Sequence, residues 1–245
     1  MIVLLALGGS VGACDVAVVG DSTAEEDILT VPGLTWVAQW RSSLTDTEIC
    51  NFALGGRSLA HFVKPHFLGA TAEPEQWWEG FGPRHPGDRS WIIPGKSWMT
   101  TVRDSHPRTL VMAWGLNEIW EGAADGSFVT MYRDRLRSVV TQTRAWQPAP
   151  RIVLLTSLEL QPDPAVMEAV PPSRLAAIND VTRQVAAESG SMLIDVNRAW
   201  RAYPKPSRLL DKSMGGNGIS HPSTLGHLLI SRIVMLSPLL PISHH

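Results

Sequence analysis

Short apolar runs alternate with helix-periodic segments along almost the whole chain, and this alternation restricts the fold more than any other feature. Five runs of β-branched and small apolar residues are typical of buried strands. They are Asp15–Val19, Glu48–Ala53, Thr109–Trp114, Arg151–Thr156 and Met192–Val196. The segments between and after them predict helices. These are Leu34–Leu44, Ser58–Val63, Met131–Trp146, Ser173–Glu188 and Leu225–Leu236. Strands separated by helices at this spacing predict an α/β fold, a five-stranded parallel sheet with helices on both faces.

The composition excludes several classes of protein. Of the 245 residues, 44% are hydrophobic and 18% are charged, which is typical of a folded chain rather than a disordered one. The formal net charge of −2 and the scattered arginines provide no basic face for a nucleic acid. Since no group of His, Cys, Asp and Glu has the spacing of a metal site, we predict neither a metal nor a cofactor.

The first 14 residues leave two alternatives open. The run from Ile2 to Ala13 is shorter than the ~20 residues that span a bilayer, but it has the length of a signal-peptide core. Val11–Cys14 also resembles a lipoprotein cleavage box, in which Cys14 would carry a lipid anchor. The chain is then either exported or lipid-anchored, or it is cytoplasmic with an apolar N-terminal end. A disulfide between Cys14 and Cys50 can form only if Cys14 carries no lipid.

Polar and glycine-rich sequences follow the first three predicted strands and precede the last helix. They are Gly20-Asp21-Ser22, Asn51 to Gly56, Gly115 to Glu118, and Gly218 to Pro222. Because ligands bind at the carboxyl ends of the strands in such a sheet, we expect these sequences to meet. A serine hydroxyl is a poor nucleophile at neutral pH, and a histidine can remove its proton. Ser22 and His221 are therefore a candidate catalytic pair.

In this order, and over nearly the whole chain, the four sequences resemble the four motif blocks of the SGNH/GDSL hydrolase family. The resemblance implies the SGNH hydrolase fold, a flavodoxin-like three-layer sandwich. It also implies a serine esterase with Ser22 as nucleophile and His221 as general base. The implied oxyanion hole consists of the Ser22 and Gly56 backbone N–H groups and the Asn117 side chain. Gly55 is the competing candidate for this role. The spacing of five residues between Asn51, where the second block begins, and Gly56 favours Gly56.

The last block departs from the family pattern. The family has an aspartate three residues before the histidine, and Gly218 occupies that position here. Asn217, a backbone carbonyl or Asp211 could orient the His221 ring instead. Without a carboxylate beside His221, Ser22 and His221 would act as a Ser-His dyad. The last alternative is that the protein has lost its catalytic activity.

Periodicity disappears from residue 65 to residue 107, where Pro, Gly, His and Trp accumulate. A long insertion of this kind is usually functional. Tryptophan faces can stack on sugars or bury acyl chains, so we expect four of these residues to contact substrate. They are Trp77, Trp78, Trp91 and Trp98. The alternative is that they attach the insertion to the core, where we also place Trp114 and Trp146.

Polar residues within the insertion favour an ester of a carbohydrate, with acetyl as the group removed. Two alternatives stay open: a lipase or thioesterase that uses the same residues, and a catalytically silent carbohydrate-binding protein. We expect residues 15–245 to form a single domain that binds a small-molecule or polysaccharide ester and has no transmembrane span.

Overall fold

The computed structural model describes residues 13–25, 33–64, 96–120, 127–159, 172–211 and 221–238. The strands in these ranges are β1 (Val16–Gly20), β2 (Ile49–Asn51), β3 (Thr109–Ala113), β4 (Arg151–Leu155), β5 (Met192–Ile194), β6 (Leu210–Asp211) and β7 (His221–Pro222). The helices are α1 (Trp36–Ser42), α2 (Leu59–Phe62), α3 (Trp98–Asp104), α4 (Ser127–Arg144), α5 (Pro172–Ser189), α6 (Val196–Ala202) and α7 (Thr224–Leu236). Two short 3₁₀ helices lie at Glu118–Trp120 and Pro206–Leu209.

The first five strands form one parallel sheet in the order β2-β1-β3-β4-β5. Strand β1 lies between β2 and β3, with Val16 opposite Ile49 on one side and opposite Thr109 on the other. The order reverses direction at β1, so the chain leaves the carboxyl ends of β1 and β3 toward opposite sides of the sheet and opens a crevice there. The predicted five-stranded parallel sheet and its α/β class are confirmed.

Side chains of the sheet alternate between two apolar cores. In β1, Val16 and Val18 pack into one core while Ala17 and Val19 pack into the other, as the two-residue period of a strand requires. Helices α1, α6 and α7 cover the first core, and helices α2, α3, α4 and α5 cover the second. Because both faces are covered, the strands are apolar throughout, and polar groups are left to the loops at the strand ends.

The strand boundaries differ from the sequence prediction at β5. The apolar run was expected to extend to Val196, but the strand ends at Ile194. The Asp195 carboxylate accepts a hydrogen bond from the Arg198 N–H and caps helix α6, which begins at Val196. The Asp195 cap therefore places Val196 in a helix, although periodicity alone assigned this residue to the strand.

The segment 65–107, which we predict to be an insertion, contains a helix near its end. Residues 98–104 form helix α3, which Ser97 caps by accepting a hydrogen bond from the Thr100 N–H. This helix packs its buried side chains into the second core. Residues 65–95, the greater part of the insertion, lie outside the described residues. Trp114 and Trp146 are buried, as predicted.

A disulfide joins Cys14, just before β1, to Cys50 in β2. Of the two alternatives left open for Cys14, this bond corresponds to the disulfide, since a sulfur atom in a disulfide cannot also carry a lipid. Residues 1–12 lie outside the described residues. Within the described ranges, every helix is too short or too polar to cross a bilayer.

Candidate active site

Ser22 lies in the turn that follows β1, at the carboxyl edge of the sheet. Gly20 ends the strand against β3, where any side chain would collide with the Ala113 carbonyl. The turn that follows places the Ser22 hydroxyl 2.9 Å from Nε2 of His221, 199 residues further along the chain. The structure therefore brings together the hydroxyl and the imidazole that the sequence predicts as a pair.

His221 reaches Ser22 from the two-stranded ribbon of β6 and β7, which the sequence did not predict. Asp211 is the residue opposite His221 in this antiparallel ribbon. Helix α7 begins directly afterwards, where the Ser223 hydroxyl accepts a hydrogen bond from the Gly226 N–H. The ring is thus held between a ribbon and a helix N-terminus.

Burial lowers the pKa of His221 to about 4, while the negative charge of Asp211 acts in the opposite direction. The imidazole is therefore neutral at pH 7. With its proton on Nδ1, the neutral ring presents the Nε2 lone pair to the Ser22 hydroxyl. This is the state that a general base requires before it accepts a proton.

Asp21 connects the nucleophile loop to the loop after β3. One carboxylate oxygen accepts hydrogen bonds from the Thr23 N–H and hydroxyl at 2.9 and 2.7 Å. The other accepts from the Leu116 N–H at 3.2 Å. Burial raises the pKa of Asp21, and these hydrogen bonds oppose that effect. From the sequence, Asp21 is recognisable only as the middle residue of the Gly-Asp-Ser motif, and its contact with the loop after β3 is visible only in the structure.

A hydrogen bond to Glu25 distinguishes Gly55 from Gly56, the two glycines that competed for the oxyanion hole. The Glu25 carboxylate accepts a hydrogen bond from the Gly55 N–H at 3.0 Å. Within the described residues, the N–H groups of Gly56 and Ser22 have no acceptor. Gly56 also has a φ of +67°, a conformation in which glycine is strongly preferred. No sequence pattern indicated Glu25, because the contact spans 30 residues.

Asn117 lies beside the glycine loop. Its side-chain Nδ2 donates a hydrogen bond to the Arg57 carbonyl at 2.8 Å, and Arg57 directly follows Gly56. An amide nitrogen carries two hydrogens, so one remains for a further acceptor. A Cβ on Gly55 would lie 3.4 Å from the Ser22 Cβ, so the same loop also adjoins the nucleophile.

The predicted tryptophan contacts divide into two groups. Trp98 is fully buried, and its ring packs against Phe62 and Trp114 with centroid distances of 5.3 and 6.0 Å. The expectation that Trp98 binds substrate is therefore wrong, because the ring fills the second core. Trp77, Trp78 and Trp91 lie outside the described residues, as does Asn217.

A serine in contact with a neutral histidine, at the carboxyl edge of a doubly wound parallel sheet, is the arrangement of a hydrolase with a serine nucleophile. Residues 18–229 match the GDSL-like lipase/acylhydrolase family. The chain belongs to this family. No curated protein matches the sequence at a significant level.

Several solved structures share the fold at low sequence identity. A lipase/acylhydrolase from Enterococcus faecalis is 17% identical, with a TM-score of 0.57, and the match covers 89% of this chain and 92% of that one. An acetylxylan esterase from Geobacillus stearothermophilus is 17% identical, with a TM-score of 0.58 and coverages of 93% and 95%. A lipolytic G-D-S-L family protein from Veillonella parvula is 14% identical, with a TM-score of 0.57 and coverages of 90% and 95%.

Proposed function

We propose that this chain is a serine acetylesterase that removes acetyl groups from a carbohydrate. The contact of 2.9 Å between the Ser22 hydroxyl and His221 Nε2 carries the proposal. His221 takes the hydroxyl proton as Ser22 attacks the ester carbonyl, and it then protonates the departing sugar hydroxyl. Water, activated by the same imidazole, hydrolyses the acetyl-serine and releases acetate.

The oxyanion of each tetrahedral intermediate is stabilised by the N–H groups of Ser22 and Gly56 and by the second hydrogen of Asn117 Nδ2. Two features support this assignment. The Gly55 N–H is already bonded to Glu25, and the hydrogen bond to the Arg57 carbonyl fixes the Asn117 amide beside the glycine loop. Donors that are fixed before the reaction stabilise developing charge most effectively.

The Asn117→Ala variant tests this oxyanion hole. We expect kcat for p-nitrophenyl acetate to fall roughly 10²- to 10³-fold with little change in KM, because one transition-state donor is lost. The matched control is Gln39→Ala, which removes another amide that donates to a backbone carbonyl, that of Leu34. A kcat for Asn117→Ala within threefold of the wild type would exclude Asn117 from the oxyanion hole.

We propose that the acetyl group occupies a small cavity beside the nucleophile loop, which Thr23 lines but Ser22 and His221 do not. Its volume is ≈ 20 Å³, which is space for about one water-sized group. Thr23, the residue after the nucleophile, lines it together with Trp114, Leu155, Leu158 and Ile230. An acetyl methyl group matches this size, whereas a long acyl chain requires the walls to move.

The acetylxylan esterase among the structural relatives supports a carbohydrate as the alcohol portion of the ester. Trp77, Trp78 and Trp91 remain our proposed sugar-stacking residues. The proposal is tested by incubating the enzyme with acetylated xylo-oligosaccharides and with p-nitrophenyl acetate and octanoate. We expect acetate release from the sugar and a kcat/KM for the acetate ester far above that for the octanoate ester. A preference for octanoate would instead identify a lipase or thioesterase.

Enlarging the cavity should relax the acyl preference. In Leu158→Ala, we expect the ratio of kcat/KM for butanoate to that for acetate to rise about tenfold or more, as one or two methylene groups gain space. Leu136→Ala is the matched control, because Leu136 is equally buried but lies in the other core. Both variants are assayed well below their melting temperatures, since each loses packing. An unchanged ratio in Leu158→Ala would show that the acyl group binds elsewhere.

A further inference from the structure

The far side of the His221 ring lacks a hydrogen-bond partner within the described residues. Its Nε2 faces Ser22, while the buried Nδ1 has no acceptor there. During the proposed reaction, the ring becomes positively charged. An imidazolium held in a buried position is costly unless an anion lies close to it. The family places an aspartate three residues before the histidine, but Gly218 offers no carboxylate at that position.

Asp211 is placed to supply the missing charge. Directly opposed residues of an antiparallel pair project to the same face, with Cβ atoms about 4.5–5.5 Å apart. Asp211 is directly opposite His221 in the β6–β7 ribbon. Its charge also raises the pKa of His221 against the effect of burial.

The backbone around Asp211 is firmly attached to the start of helix α7. The Ser223 N–H donates to the Leu209 carbonyl at 2.8 Å, and the Ser223 hydroxyl donates to the Arg208 carbonyl at 2.8 Å. Gly226 packs so closely on Leu209 that a Cβ there would collide with the Leu209 carbonyl. The segment that carries Asp211 is therefore fixed relative to His221.

The other polar groups around the ring do not supply a negative charge. Ser22 occupies Nε2, and His227 of helix α7 is a buried neutral imidazole whose pKa is lowered to about 3 by burial and by His221. His227 Nδ1 accepts a hydrogen bond from the Trp36 N–H, so this nitrogen is already bonded to helix α1. Within the described residues, Asp211 is the anion whose charge acts on His221.

We propose that Asp211 is the positioning residue that orients His221 and offsets its positive charge during turnover. The triad would then be Ser22-His221-Asp211, with the acid ten residues before the histidine on a neighbouring strand rather than three residues before it in the same loop. This inference rests on the proposed function, because it assigns a role within the same reaction.

The test compares Asp211→Asn with Asp211→Glu, and uses Asp134→Asn on the exposed face of α4 as the matched control. We expect Asp211→Asn to lower kcat roughly 10²- to 10⁴-fold with little change in KM. Asp211→Glu restores part of the loss, and Asp134→Asn retains wild-type kcat. The acid limb of the kcat/KM profile moves to lower pH in Asp211→Asn, because the charge that raised the pKa of His221 is gone. A purely structural role for Asp211 would lower kcat without moving this limb.

A second measurement does not depend on activity. NMR titration of the His221 ring in the wild type and in Asp211→Asn should show a lower pKa in the variant, with near-identical circular dichroism spectra. An unchanged His221 pKa, or a kcat for Asp211→Asn within threefold of the wild type, would overturn the inference. So would a comparable loss of kcat in Asn217→Ala with none in Asp211→Asn. If the wild type instead hydrolyses no ester, the proposed function fails, and the titration still decides whether Asp211 acts on His221.

Discussion

Replacing Ser22 with alanine is expected to lower kcat for p-nitrophenyl acetate by roughly 10⁴- to 10⁶-fold. The Ser22 hydroxyl is the group in contact with His221 Nε2, and without it no acyl-enzyme can form. The residual rate comes from water attacking the bound ester, assisted by the oxyanion donors. KM should change little, because the substrate contacts remain. The measurement is steady-state hydrolysis at pH 7, with mass spectrometry of the protein after exposure to a fluorophosphonate.

The fluorophosphonate should add one group to the wild type, at Ser22, and none to Ser22→Ala. Ser138→Ala is the control, since Ser138 lies on the exposed face of α4, and it should retain both activity and labelling. Thermal unfolding of the three proteins checks that the fold is intact. Substantial hydrolysis by Ser22→Ala would mean that another residue is the nucleophile, and the proposed mechanism would then be wrong.

The sheet was predictable from the sequence because burial on both faces leaves an unbroken apolar signal. Strands β1, β3 and β4 are buried along nearly their whole length, and their apolar runs lie within one residue of the predicted bounds. The parallel direction of the strands followed from their alternation with helices. Prediction failed where a single side chain decides the local structure, as at Asp195, whose cap ends β5 early.

The candidate site was partly predictable, because loops at the carboxyl ends of parallel strands must meet. The Ser22–His221 contact follows from that rule together with the family resemblance. The positions of Glu25 and Asp211 were harder to predict. Glu25 bonds a residue 30 positions away, and Asp211 lies opposite His221 in a ribbon whose strands are only two residues long. Such short strands carry no periodicity. Trp98 was misassigned since a tryptophan in a polar segment gives no sign of which way its ring faces.

Replacing His221 with glutamine is expected to lower kcat by roughly 10⁴- to 10⁶-fold as well. Glutamine can still form a hydrogen bond with the Ser22 hydroxyl, but it cannot accept a proton at pH 7. The control is His106→Asn, which changes an exposed histidine with a φ of 50° to a residue that tolerates this conformation. We expect it to retain full activity. Hydrolysis by His221→Gln at a rate near that of the wild type would exclude His221 as the general base.

The pH profile of the wild type reports on the same residue. Only the neutral imidazole can act as the base, so kcat/KM should rise with pH through the His221 pKa of about 4 and stay level above it.

If Ser22 and His221 act as one unit, the double variant Ser22→Ala/His221→Gln should be no slower than either single variant. Additive losses would mean that each residue contributes separately, so that proton transfer from Ser22 to His221 could not be the step that both serve.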